Sequence, residues 1–371
     1  MSGHTTDIII FLLILAARLI VPLFIPRFPL PAILTALILD AIDQSVYQRY
    51  TDLNLEGYQG YDKALDVYYL TIAYLSTLRN WTNLDALAVA RFLLYYRLVG
   101  VVLFEKTDVR ALLLIFPNTF EYFFIFYEAV QLRWDPRRMS RRFVIEAAAA
   151  IWIFIKLPQE WWIHVAQLDF TDTVRKYPVL IPLIAVGLVV LVIATWWIVT
   201  RKAPPADHRP SLDADDYERP ARERPVDLPA MESGRVFDAA LLEKIALVSL
   251  VSIIFAEILP GSDATGIEIA IGVGFLIIAN TVISEWLARR GTGWETAIRQ
   301  FVAMALVNGG VAVVAWLLLP KGEGELHLGS ALFFLLLLTL LITLYDRYRP
   351  LYVARLETAD GEMAPEAGVA S

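Results

Sequence analysis

The feature that most constrains this chain is the recurrence of apolar stretches long enough to cross a bilayer. A helix needs about 20 apolar residues to span the hydrocarbon core. Such stretches fall at 8–25, 30–46, 65–78, 85–104, 111–131, 143–165, 179–199, 239–259, 267–286, 301–319 and 329–345, with 65–78 the shortest and most polar. Inside lipid, backbone groups can be satisfied only within helices or a closed barrel. Barrel strands would be about ten residues of strict alternation, a pattern these stretches lack. The expected fold class is an all-α polytopic integral membrane protein of about eleven transmembrane helices.

Composition agrees. Charged residues are 19% of the chain, apolar residues 57%, and mean hydropathy is +0.55. Soluble domains carry roughly a quarter charged residues, so an ordinary soluble globule and a disordered chain are both excluded. The absence of cysteine removes disulfides, thiolate catalysis and Cys-ligated metals. With four histidines, a His-rich metal cage is not expected. A net charge of −7 offers no basic surface for nucleic acid. No Lys or Arg precedes 8–25 and no small-residue cleavage site follows it, so it reads as a retained span rather than a signal peptide.

Basic residues set the orientation, because cytoplasmic loops are enriched in Lys and Arg. Arg133, Arg137, Arg138, Arg141 and Arg142 follow the fifth stretch; Arg201, Lys202, Arg209, Arg219, Arg222, Arg224 and Arg235 follow the seventh; Arg347, Arg349 and Arg355 follow the last. Placing these inside puts the N-terminus outside and the C-terminus in the cytoplasm of a cell-membrane protein. The Pro- and charge-rich region after the seventh stretch has little to bury. The chain thus divides into a seven-span bundle at 1–202, a disordered cytoplasmic linker at 203–236, a four-span bundle at 237–346 and a cytoplasmic tail at 347–371. No repeat relates the two bundles.

Ionisable groups within spans are costly and carry the most functional information. Asp40 and Asp43 share one helix face, as do Asp62 and Asp66, and all four are expected toward the outer side. Such carboxylates suit a hard cation. Asp62 can instead cap its helix, whereas Asp40 lies in the last turns of an apolar run. Arg97 lies in the outer half of the fourth span, and Arg91, about 120° away around the helix, needs a different partner. Glu121 sits near mid-depth with Glu128 further along the same face, beside Pro117, which frees a backbone carbonyl. Lys156, Glu160 and His164 form one stripe around Pro158. The plainer account is a self-satisfying Lys156–Glu160 pair, with His164, Trp161 and Trp162 at the interface. Pairing of Arg18, Arg91 and Arg97 with Glu121 and Glu128 is the simplest structural reading.

Acids outnumber bases among these groups, so the expectation is an outward-facing polar cavity whose binding candidates are Asp40, Asp43, Asp66, Arg97, Glu121, Lys156, Glu160 and His164. Three functions fit: a transporter or permease for an ion or small polar solute, a membrane-embedded enzyme acting on a lipid-linked or headgroup substrate at the outer leaflet, or a non-catalytic assembly subunit bound to another membrane protein. The sequence names no organic cofactor; the clustered carboxylates admit a divalent cation. No catalytic signature decides between enzyme and carrier.

Overall fold

A computed structural model describes residues 2–51, 58–166, 176–201, 203–215, 239–258, 277, 298–299, 301–310 and 328–363. It is 84% helical, with no strand among the described residues, in keeping with the expected all-α class. The helices are α1 (Ser2–Ile20), α2 (Pro29–Tyr50), α3 (Tyr58–Asn80), α4 (Leu84–Thr107), α5 (Ala111–Ile115), α6 (Thr119–Gln131), α7 (Arg141–Ala150), α8 (Leu157–Glu160), α9 (Leu180–Arg201), α10 (Ala239–Ile258), α11 (Phe301–Gly310) and α12 (Leu328–Met363). Local chemistry sets several boundaries. Pro29 opens α2, where its missing N–H is no loss. Asn83 caps α4 by accepting from the Ala86 N–H at 2.9 Å, and Asp108, left-handed at φ 54°, ends it. Ser140 caps α7 through the Phe143 N–H.

The centre of the bundle is α3, packed against α2, α4, α6, α10 and α12. Every residue from 67 to 78 is at most 4% exposed, so the helix is enclosed on all sides. That explains why 65–78 is the most polar of the stretches: its neighbours are helices rather than lipid. Its hydroxyls are satisfied locally, Thr71 donating to the Val67 carbonyl, Ser76 to Ala73 and Thr77 to Tyr74, each at 2.7 Å. Beyond its end, Trp81 stacks on Tyr127 with ring centroids 3.8 Å apart. Helices α10 and α12 belong to the same body: α12 packs most extensively on α3, and α10 on α4.

Two helical stretches among the described residues, Thr6–Phe24 and Leu84–Thr107, are long and apolar enough to cross a membrane. The first has only 11% of its apolar window buried. Helix α9 exposes Ile181, Leu183, Val186, Val189, Val190 and Ile193. Contiguous apolar faces on this scale call for lipid or protein cover. Of the expected ninth span only Ile277 is described, and of the tenth only 301–310, as α11.

One end of the bundle gathers arginines. Arg355 donates to the backbone carbonyls of Arg79 and Trp81. Here one expectation changes. Residues 203–215, expected to be unstructured, form no helix but are strapped across this end. Asp207 pairs with Arg138 at 2.6 Å and accepts from the Asp135 N–H at 2.9 Å. Asp213 accepts from Arg27 Nε at 3.0 Å, Asp215 pairs with Arg79, and Ala214 is 1% exposed. Low hydropathy hid this, because the strap is held by ion pairs and backbone hydrogen bonds. Residues 216–238 lie outside the described ones. Helix α12 continues through Pro350 to Met363, into the stretch expected as the tail. The opposite end carries Lys63–Glu105 and Lys106–Glu257 ion pairs.

Candidate functional site

Four carboxylates converge on one guanidinium. Arg18, from α1, donates through Nη2 to Asp40 at 2.5 Å and Asp66 at 2.8 Å, and through Nη1 to Asp43 and Asp62. The i, i+3 spacing of Asp40 and Asp43 on α2, and the i, i+4 spacing of Asp62 and Asp66 on α3, turn each pair toward Arg18. Asp62 lies in the second turn of α3, too far in to cap its N-terminus, so its expected capping role gives way to this ion pair. Carboxylate oxygens of Asp40, Asp62 and Asp66 lie within 4.8 Å of one another, close enough to share a metal ion. Arg18 already donates to all three, so a metal would have to share or displace the guanidinium.

The second group is built on broken helices. Phe116, Pro117 and Asn118 separate α5 from α6. Proline cannot donate, and the carbonyls stranded at the break find other donors. The Tyr96 hydroxyl donates to the Ile115 carbonyl, and Arg97 Nη1 to that of Phe116, both at 3.0 Å. Gly100 lets the break approach α4 closely, since a Cβ there would fall 2.1 Å from Phe116 Cβ. At the start of α6 the Asn118 backbone N–H donates to Glu160 at 3.2 Å, and Glu121 lies in the first turn, where a helix N-terminus favours negative charge. Pro158 produces a comparable disturbance opposite. Helix α8 is flanked by π-helical Ile151–Lys156 and Trp161–Val165. Such wide turns recur at functional sites. They bring Lys156 Nζ to 3.7 Å from Glu160, 3.0 Å from Gln159 Oε1 and 4.6 Å from the Tyr122 ring centre.

Tyr69 joins the two groups. It stands one turn beyond Asp66 on α3, and its hydroxyl donates to Glu121. Glu121 also feels the charges of Lys156, Asp40 and Arg97. Exposure falls along this line: the Asp62 and Asp66 side chains are 38% and 37% exposed and Asp40 26%, whereas Glu121, Lys156 and Glu160 are 3–4% exposed. The arrangement is a path of polar side chains, partly exposed at the aspartates and buried at the helix breaks. It brings together Asp40, Asp43, Asp66, Arg97, Glu121, Lys156 and Glu160; the His164 side chain lies outside the described residues. Buried Thr119 Oγ1 and Asn118 Oδ1, at the buried end, have no hydrogen-bond partner among the described residues.

The expected arginine–glutamate pairing is corrected. Arg18 takes aspartates, Arg97 a carbonyl, and Glu128 accepts from Trp81 Nε1 at 2.7 Å. Only Arg91 meets a glutamate, and it is Glu243 of α10, at 3.3 Å. The Lys156–Glu160 pair is present as spaced. Gln159 went unnoticed in the sequence because a neutral hydrogen-bonding side chain carries no hydropathy signal strong enough to mark a site, and Tyr69 stood out only as one of several tyrosines expected near the cavity.

Comparison with protein families, curated proteins and solved structures gives no match to this chain.

Proposed function

We infer that the chain is a multi-pass membrane protein, N-terminus outside and C-terminus cytoplasmic, that carries an ion or small polar solute through an outward-facing intramembrane site. The observation behind this reading is the discontinuous fifth helix. A half-helix N-terminus with two carboxylates on it, at a proline break inside an apolar bundle, is the arrangement by which carriers present backbone and charge to a substrate at mid-depth. Around it, among the described residues, the carboxylates Asp40, Asp43, Asp62, Asp66, Glu121 and Glu160 outnumber the basic groups Arg18, Arg97 and Lys156, so the path favours a cation or proton over an anion. The gathering of the arginine loops at one end supports the orientation, and the exposed apolar faces support about eleven spans.

The test is flux in proteoliposomes, with an internal pH dye for protons and solid-supported-membrane currents for small cations. Wild type should exceed empty liposomes, while Glu121→Gln and Glu160→Gln should insert normally and lose flux or shift its pH dependence. Equal behaviour of wild type and both variants in every condition would refute transport. The proximity of Asp40, Asp62 and Asp66 favours a second reading, a metal-dependent enzyme at the outer leaflet. Stoichiometric divalent metal in the purified protein, lost in Asp66→Asn, would select it.

A further inference from the structure

A second buried charge cluster lies between α3, α4, α10 and α12, away from the path just described. Glu243 receives Arg91 Nε on one oxygen and Arg349 Nη2 on the other, both at 3.3 Å, while the Tyr74 hydroxyl donates to it at 2.5 Å. The adjacent Lys244 is neutralised by Asp346 at 2.6 Å. Among the described residues two guanidinium groups therefore share the one carboxylate of Glu243. Their hydrogen bonding is incomplete as well. Buried Arg91 Nη2, Arg349 Nε and Arg349 Nη1 have no acceptor among the described residues. Both guanidiniums also lie against the ring of Tyr352, at 5.4 and 4.7 Å from its centre. Buried donors without acceptors are costly, and what this cluster lacks is a group rich in acceptor oxygens carrying negative charge.

We propose that this junction binds a phosphate oxyanion, bridged by Arg91 and Arg349, supplied by an anionic lipid headgroup or by soluble phosphate. Paired planar guanidiniums match a phosphate's oxygens, each offering two parallel N–H groups. Access is through Arg91, whose side chain is 32% exposed, whereas Arg349 is 12% exposed. As the arginines turn to the phosphate, Glu243 keeps the Tyr74 hydroxyl as its donor. Depth favours the lipid source. Arg91 lies about 10 Å inward from the start of α4 at 1.5 Å per residue. Arg349 lies a similar distance inward from Arg355, which is bound at the arginine end. In the orientation proposed above, that is where the inner-leaflet headgroups meet the hydrocarbon.

The test uses the full chain in neutral detergent, so it does not depend on transport. Thermal midpoints are measured against added phosphatidylglycerol, phosphatidylcholine and inorganic phosphate, and apparent affinities follow from the shifts. Phosphatidylglycerol should stabilise wild type where phosphatidylcholine does not. Arg91→Gln and Arg349→Gln should each weaken its apparent affinity about tenfold. Arg142→Gln, in the exposed first turn of α7, should leave it unchanged. If Arg349→Gln does not fold, the partly exposed Arg91 decides. A shift with inorganic phosphate that Arg91→Gln abolishes assigns a soluble phosphate; a shift with the lipid alone assigns the headgroup. Equal affinity in wild type and Arg91→Gln, an equal loss in Arg142→Gln, or no shift with either probe overturns the proposal.

Discussion

Arg18→Met is the sharpest perturbation of the outer site, because it removes the shared counter-charge of Asp40, Asp43, Asp62 and Asp66. Breaking a buried ion pair from one side costs about 3–5 kcal/mol. Arg18 and Asp43, at 3% and 2% side-chain exposure, fall in that regime. The other three aspartates are 26–38% exposed, and solvent screens their contribution to well under 1 kcal/mol each. The expected loss is therefore about 3–4 kcal/mol, dominated by Asp43. The double variant Arg18→Met with Asp43→Asn should recover roughly half of it, since the least solvated charge is then neutral. Denaturant unfolding of the detergent-solubilised protein, followed by fluorescence of its 10 tryptophans, measures both quantities. Lipid supplies little force holding α1 to the bundle, so Arg18→Met should also loosen that helix. A disulfide between Phe11→Cys and Tyr47→Cys, whose rings are 5.6 Å apart, should form less readily. A loss below 0.5 kcal/mol, or no recovery in the double variant, would refute a hub held by charge.

Gly100→Ala should destabilise by about 1–3 kcal/mol, because the new methyl meets Phe116; thermal unfolding checks this, and a neutral result would mean that the α5–α6 break does not rest on α4. Glu128→Gln keeps an acceptor for Trp81 and should be nearly neutral, whereas Glu128→Leu orphans that buried N–H and should cost about 1–3 kcal/mol in the same unfolding assay. The strap should be pH-sensitive. The Asp215 N–H, with help from Arg27, holds the Asp213 carboxyl below the usual carboxylate range. Its contribution is present above the ordinary carboxylate pKa and is lost as pH falls through the depressed value. Labelling of Ser211→Cys should accelerate over that acidic range, and Asp213→Asn should flatten the response. In sealed cells the same cysteine should react only from the cytoplasmic side, and labelling from outside would reverse the proposed orientation.

How much was legible beforehand depended on which property did the work. Hydropathy located helices that face outward, such as α1 and α9, because those stretches must be apolar along their length whatever they pack against. Proline chemistry located the disturbances at Pro117 and Pro158, because a missing N–H breaks a helix by local rules alone. Helical spacing placed Asp40 with Asp43, Asp62 with Asp66, and Lys156 with Glu160, because neighbours on one helix are fixed by its pitch. Partners on different helices were beyond reach. That Arg18 collects four aspartates, that Tyr69 links them to Glu121, and that Arg91 finds Glu243 on α10 all depend on which helix faces which, and this is set by packing over the whole bundle. The same reason hid the central position of α3, whose polar hydroxyls look unfit for lipid because they never meet it, and the docking of 203–215, whose aspartates pair with arginines far away in the chain.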